Sequence, residues 1–302
     1  MNTILQLHTL LHGMYKRFTG AAGNIHYILS VLVIMASSCN IINPAEPVPA
    51  YVHADSISLK TDLVTEGSSS CKINDVWAYV DGNVIGTFEM PVTFPVLAAG
   101  VHRLTIRPGI LMNGIAATRA IYPFYSGFDT TVNFESAQTF QVNASTHYIS
   151  GIQFSLLEDF DHTGISFIKD PASDTSLMVV TDQFSMENNY GAVYLDDSHP
   201  NFKCTCIDSF PIAPGIPAYL EFNYQGDNEF TVGITSYTTL HTYNDDIVTF
   251  RPTSSWKKEY VNLYPFVNAA ANASGFKIYF RASKASALAS AAIRFDNIKV
   301  VH

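Results

Sequence analysis

Three groups of residues in this 302-residue chain have types and spacing that could do chemistry. Tyr237, His241, Tyr243, Asn244, Asp245 and Asp246 crowd aromatic rings and carboxylates into ten positions. A sugar ring suits such a set, because its C–H face stacks on an aromatic ring and its hydroxyls bond to carboxylates. Arg119 stands beside Tyr122, Phe124 and Tyr125, and a guanidinium among rings recognises sugars, carboxylates or peptides. Cys204 and Cys206 lie at i and i+2, so on a strand they share a face and close poorly as a disulfide. A zinc site needs two more soft ligands at suitable spacing, and the sequence offers none, so buried thiols on one strand face are expected.

Enzyme chemistry is not signalled. The adjacent pairs Asp196-Asp197 and Asp245-Asp246 could suggest a glycosidase, but neighbours on a strand face opposite ways. Nucleophile-elbow, phosphate-loop and metalloprotease motifs are absent. A Ser-His-Asp triad stays open, because its members need not be near in sequence. The expectation is a non-catalytic protein.

Composition narrows the partners. With 17 basic against 26 acidic residues the formal charge is −9, and the only adjacent basic pairs are Lys16-Arg17 and Lys257-Lys258. Nucleic acid binding is not expected, since it needs clustered cations. An aromatic content of 13% with only 14% charged residues points to folded, β-rich structure.

The N-terminus reads as an address. Residues 1–39 lack Asp and Glu, carry Lys16 and Arg17, and run apolar through YILSVLVIM before Ala36, Ser37, Ser38 and Cys39. That layout is an export signal, and its apolar run is too short to cross a bilayer as a helix. Met14 offers an alternative start to Met1. Small residues before Cys39 resemble a bacterial lipobox, although Ala36 stands where Leu is usual; the resemblance implies diacylation of Cys39 and a membrane anchor. The alternative is a plain signal peptide with an incidental cysteine. Processing at Cys39 would leave Cys71, Cys204 and Cys206, an odd number that cannot pair completely. Residues 40–54 hold three prolines before Tyr51 and read as an extended tether.

The elements that position these groups are strands. In NDVWAYVDGNVIGTFEMP, Val76, Ala78 and Val80 alternate with Trp77 and Tyr79, and Gly82-Asn83 turns the chain back. LAAGVHRLTI gives the next strand, ended by Pro108-Gly109. His102 is expected on a strand face with its ring packed or solvated. Residues 76–108, through Asp81, Gly82, Gly86, Pro91, Gly100 and His102, resemble the PEGA-type surface module and related immunoglobulin-like or prealbumin-like sandwiches. The wider span 71–134 resembles the N-terminal part of uncharacterised lipoproteins from Bacteroidetes-type bacteria, which implies an envelope address and an architecture but no activity.

From residue 158 onward roughly seven alternating segments, separated by turn-rich loops, read as a sandwich or jelly roll. Asp159-Phe160-Asp161, YLEFNY at 219–224, WKKEYVNL at 256–263 and FDNIKV at 295–300 resemble the galactose-binding-like jelly rolls of carbohydrate-binding modules. The resemblance implies that a final-strand aspartate helps hold a structural calcium ion, here Asp296 with Glu158, Asp159 or Asp161. The alternative is that Asp296-Asn297 solvates a strand edge.

The sequence therefore predicts an all-β protein with an immunoglobulin/prealbumin-like sandwich at 55–157 and a jelly-roll sandwich at 158–302, after a signal at 1–39 and a tether at 40–54. The expected setting is the cell envelope, at the outer membrane through a lipid anchor. The expected partner is a glycan at Tyr237, His241, Tyr243, Asp245 and Asp246, or an envelope protein docked near Arg119 and Tyr122.

Overall fold

The computed structural model describes residues 46–302. Cys39, the export signal and the start of the tether lie outside the described residues. Pro49–His302 forms one compact unit, built as two successive β-sandwiches.

The first sandwich uses β1 (Ala50–Lys60), β2 (Asp75–Val80), β3 (Asn83–Glu89), β4 (Val92–Val96), β5 (Gly100–Leu111), β6 (Arg119–Ile121), β7 (Phe128–Phe134) and β8 (Thr139–His147). One sheet runs β4-β1-β8; the other runs β3-β2-β5, with β6 and β7 sharing the far side of β5. Alternation does the sorting: Val76, Ala78 and Val80 face Val52, Phe94 and Val142 in the core, while Trp77 and Tyr79 face outward. The β2–β3 turn sits at Asp81-Gly82, both at positive φ, one residue earlier than expected, so the required Gly stands second in the turn. His102 stands on β5, as expected, with its ring held by Asp81 Oδ2 at 2.6 Å and the Ala99 carbonyl at 3.1 Å.

Three boundaries differ from expectation. Residues 50–54 are not tether but the start of β1, with Ala50, Val52 and Ala54 buried between β4 and β8. β5 runs through Pro108-Gly109 instead of stopping there. The Pro108 carbonyl accepts from Tyr122 N at 3.0 Å, so its missing N–H faces the gap between β7 and β6, where no ladder bond is needed. Residues 154–157 belong to the second sandwich, because β9 pairs with its last strand.

That second sandwich contains β9 (Phe154–Glu158), β10 (Phe167–Lys169), β11 (Met178–Val180), β12 (Tyr190–Leu195), β13 (Asn201–Cys206), β14 (Tyr219–Gly226), β15 (Phe230–Tyr237), β16 (Thr242–Phe250), β17 (Thr253–Asn262), β18 (Gly275–Ser283) and β19 (Ala291–Val301), with one short helix, α1 (Tyr264–Ala269). The sheets run β10-β13-β18-β15-β16 and β11-β12-β19-β14-β17, with β9 beside β12 on β19. Phe222, Phe230, Phe280 and Phe295 interlock between them, with ring centroids 4.6 to 6.4 Å apart. Cys204 and Cys206 point into this core as free thiols. Burial drives the Cys204 thiol far up and the Cys206 thiol to about 11, so both stay protonated and inert.

The two sandwiches meet through an aromatic layer. Tyr122, Phe124, Tyr125 and Tyr148 of the first pack on Tyr219, Tyr260 and Val301 of the second. At its centre stands Glu221, fully buried on β14. Its carboxylate accepts from Tyr122 OH at 2.6 Å and Tyr148 OH at 2.9 Å, and it faces buried Lys258 Nζ at 3.4 Å. Lys299 Nζ donates to the Ser68 carbonyl at 2.6 Å and lies 5.2 Å from the Tyr148 ring centroid. Beside this layer the Met112–Gly114 turn covers the edge of β17. Asn113 N donates to the Tyr260 carbonyl at 2.8 Å, and Asn262 N donates to Asn113 Oδ1 at 2.9 Å. Asn113 and Gly114 both take positive φ to make that approach.

Removing one partner from a buried ion pair leaves the other charge uncompensated. Glu221→Ala is therefore expected to cost ~3–5 kcal/mol in urea denaturation, and Tyr122→Phe, which deletes one donor, about 1–2 kcal/mol. Buried acids near the junction give a pH signature. Burial, with Asp159, Asp161 and Glu187 nearby, pushes Asp296 up to about 7, and burial pushes half-buried Glu259 up to about 7 as well. An unfolded carboxyl titrates near ~4, so the folded state binds more protons between pH ~4 and ~7 and loses stability as the pH rises through that window. Lys299, brought down to about 7 by burial, acts with the opposite sign, and stability is regained above pH ~7. Asp296→Asn is expected to reduce the fall in Tm between pH ~5 and ~7 and to keep the rise above it, measured by circular dichroism against pH.

Candidate binding groove

The expected ligand residues of the second sandwich lie mostly on strands. All but His241 and Tyr237 stand on β16, an edge strand antiparallel to β15, and Tyr237 ends β15 itself. Its residues 242–246 are all exposed, so no apolar alternation marked it as a strand. The turn between β15 and β16 is tied by Thr238, whose N and Oγ1 both donate to the His241 carbonyl at 2.9 Å while Oγ1 accepts from His241 N at 3.0 Å.

Strand alternation then divides the set. Tyr243 and Asp245 point to one side, where they line an open groove of about 510 Å³ with Leu240, His241, Phe266 and Asn272. The His241 and Tyr243 rings sit edge to face with centroids 5.9 Å apart, and Tyr243 is 51% exposed. Phe266 comes from α1, which Pro265 starts and which packs Val267 into the core. A ring, an imidazole and a carboxylate around apolar walls can stack on a sugar and bond its hydroxyls. Among the described residues Asp245 is the one carboxylate that lines the groove.

Asp246 points the other way. It accepts from Tyr279 OH at 2.8 Å and Arg281 Nε at 2.9 Å, and that guanidinium holds its carboxyl below the usual range. Tyr237 is half-buried, its carbonyl accepting from Ser274 N at 2.7 Å, and it does not line the groove. Both are corrections to the expected ligand set. Asp196 and Asp197 also part: Asp196 caps its own turn through Ser198 N at 2.8 Å and His199 N at 2.7 Å, while Asp197 pairs with Lys284 at 2.9 Å.

The patch expected on the first domain is consumed within the molecule. Tyr122 is completely buried against Glu221 and Tyr219, so it offers no free surface to a ligand or envelope protein. Arg119 pairs with buried Asp75 and, at 2.8 Å, with Glu89.

The expected calcium ligands do not form a cage. Glu158 accepts from the backbone N–H groups of Phe160 and Ser166, Asp159 from Asp161 N and His162 Nδ1, and Asp161 from Asn188 Nδ2 and Asn189 N. Asp296 is buried and accepts from Asn297 N at 2.7 Å. Among the described residues no three Asp, Glu, His or Cys side chains converge on a point that could hold an ion. Glu158 and Asp159 shape their own loop, Asp161 holds the segment at Asn188-Asn189, and Asp296 stays within β19.

Sequence reading missed a second cavity of about 560 Å³ at the junction, lined by Cys71, Lys72, Trp256, Lys257, Glu259 and Tyr260 among others. Residues 257–259 of its lining are charged and follow the polar start of β17, Thr253-Ser254-Ser255, so no local pattern marks the cavity in the sequence.

No family model matches the chain, and no curated protein matches it. Among solved structures it is similar to the CBM22-1–GH10 modules of a Clostridium thermocellum endo-1,4-β-D-xylanase complexed with xylohexaose, at 11% identity and a TM-score of 0.39. That match covers 49% of this chain and 28% of the xylanase. A CBM22-2 xylan-binding domain from Paenibacillus barcinonensis is similar at 12% identity and a TM-score of 0.36, covering 48% of this chain and 97% of that one. A family 11 carbohydrate-binding module of a Clostridium thermocellum cellulase is similar at 16% identity and a TM-score of 0.33, covering 50% and 95%. The β-sandwich architecture itself stands on the strand pairing of this chain.

Proposed function

We propose that the protein is an exported, lipid-anchored component of the cell envelope that binds a glycan, without turnover, in the groove between the β15–β16 turn and α1. The observation that carries the binding reading is the exposed Tyr243 ring set beside His241 and Asp245 over the apolar walls of Leu240 and Phe266. Anchoring rests on the export-type segment that ends at Cys39, and the placement at the outer membrane follows from the same resemblance.

An open groove with a half-exposed ring suits an internal stretch of a polymer better than a small molecule, which would need enclosure. Tyr243 supplies the stacking surface, and Asp245 and Asn272 the bonds to hydroxyls. Tyr243→Ala is expected to weaken binding at least tenfold, about 1.4 kcal/mol, to whichever neutral plant, host or bacterial polysaccharide retards the protein in affinity electrophoresis. Its Tm should stay unchanged, because the ring is not part of the core. Absence of saturable binding across that panel would contradict the reading.

A further inference from the structure

The outer face of the first domain's larger sheet gathers guanidinium groups in a chain that is otherwise acidic. Three of the chain's seven arginines, Arg103, Arg107 and Arg119, stand on β5 and β6. Pairing register fixes their company: Trp77 lies opposite Arg107, Tyr79 opposite Thr105, and Thr105 opposite Asp129. The intervening Val76, Ala78, Leu104 and Ile106 are in the core, so Trp77, Tyr79, Arg103, Thr105, Arg107 and Asp129 share the outward face. Between them is a wide, shallow recess of about 670 Å³.

Two carboxylates and two guanidiniums line that recess, and one of the guanidiniums has no carboxylate partner within ion-pair distance among the described residues. Asp81 is taken by His102 Nδ1 at 2.6 Å and Arg103 N at 2.9 Å. Asp129 is taken by the Thr105 hydroxyl and by Arg103 Nη2 at 3.2 Å. Arg119 is spent on Asp75 and Glu89. Arg107 has neither an ion pair nor a hydrogen bond among the described residues, and it is exposed. Its guanidinium lies along Gly127, where a Cβ would stand 3.3 Å from Nε, so the backbone supports one side of the group and leaves the other to solvent. One exposed guanidinium without an ion-pair partner therefore lines the recess together with Tyr79 and Ile121.

The mode of binding is restricted by the sheet. β2 is paired on both sides by β3 and β5, and β5 by β2 and by β6 and β7. The recess lies over the sheet face, where β2 and most of β5 spend their main-chain groups on neighbouring strands, so an occupant there is held by side chains. A carboxylated sugar offers what they can take: a C–H face for the phenol ring and a carboxylate for the guanidinium fork. We propose that this face binds an acidic polysaccharide through its carboxylated sugar residues, Arg107 receiving the carboxylate and Tyr79 the ring face. It is a site separate from the groove at Tyr243.

The test uses the full chain and polygalacturonate as probe, with a neutral galactan, dextran sulfate and poly-glutamate as comparisons, by affinity electrophoresis and titration calorimetry. The proposal expects polygalacturonate to bind more tightly than the galactan and poly-glutamate, with affinity falling as salt rises. Arg107→Gln and Tyr79→Ala should each weaken it at least tenfold with Tm preserved, whereas Lys60→Gln, which removes an exposed cation from the other sheet, should leave it unchanged. Equal binding of the galactan, or undiminished binding by Arg107→Gln, would overturn the proposal. Poly-glutamate binding as tightly would overturn the sugar assignment, and dextran sulfate binding in place of polygalacturonate would overturn the carboxylate assignment.

Discussion

The carboxylate of Glu221 is the constraint on which the molecule depends. It is removed from solvent between two sandwiches, and burying a charge is tolerated only when donors surround it. Two of those donors, Tyr122 OH and Tyr148 OH, belong to the first sandwich, and the compensating ammonium of Lys258 belongs to the second. Neither half can satisfy Glu221 alone. The junction therefore works as a specificity device: only one relative placement of the sandwiches brings both phenols to the same carboxylate. The covered edge of β17 fixes the same placement through main-chain bonds at Asn113.

Rigidity at the junction has a functional consequence. Tyr122 and its neighbouring rings, which look like a sticky patch when read alone, are spent on holding the halves together. Among the surfaces left open are the groove at edge strand β16 and the outward sheet face around Arg107. Tyr243 and Asp245 in the first, and Tyr79 and Arg107 in the second, sit on paired strands, which hold side chains more firmly than free loops do. The first offers a ring beside a carboxylate, and the second a ring with an exposed guanidinium.

Much of the architecture was legible because one face of most strands is dry. Val76-Ala78-Val80 and the Phe-rich strands of the second half announce themselves by period two, and the β2–β3 turn by its glycine, though one residue away from Asp81-Gly82, where it falls. What was not legible follows from physics the pattern does not carry. β16 is an edge strand with five exposed polar residues in a row, so it reads as loop, and the strand geometry that separates Asp245 from Asp246 is invisible without it. Pro108 reads as a stop because sequence cannot show that its nitrogen faces a gap in the ladder. Glu221, Lys258 and Lys299 look like ordinary solvated strand residues, because burial between domains is a long-range fact. For the same reason Tyr122 was placed on a surface. His241, Tyr243 and Asp245 could be found together because they are close in sequence, whereas Phe266 and Asn272 come from a distant segment with no local mark.

Differential scanning calorimetry of the full chain at neutral pH tests most directly whether the two sandwiches are one cooperative body clamped at Glu221. The account predicts a single transition for the two sandwiches whose calorimetric and van't Hoff enthalpies agree. Two resolved transitions, one for each sandwich, would contradict it.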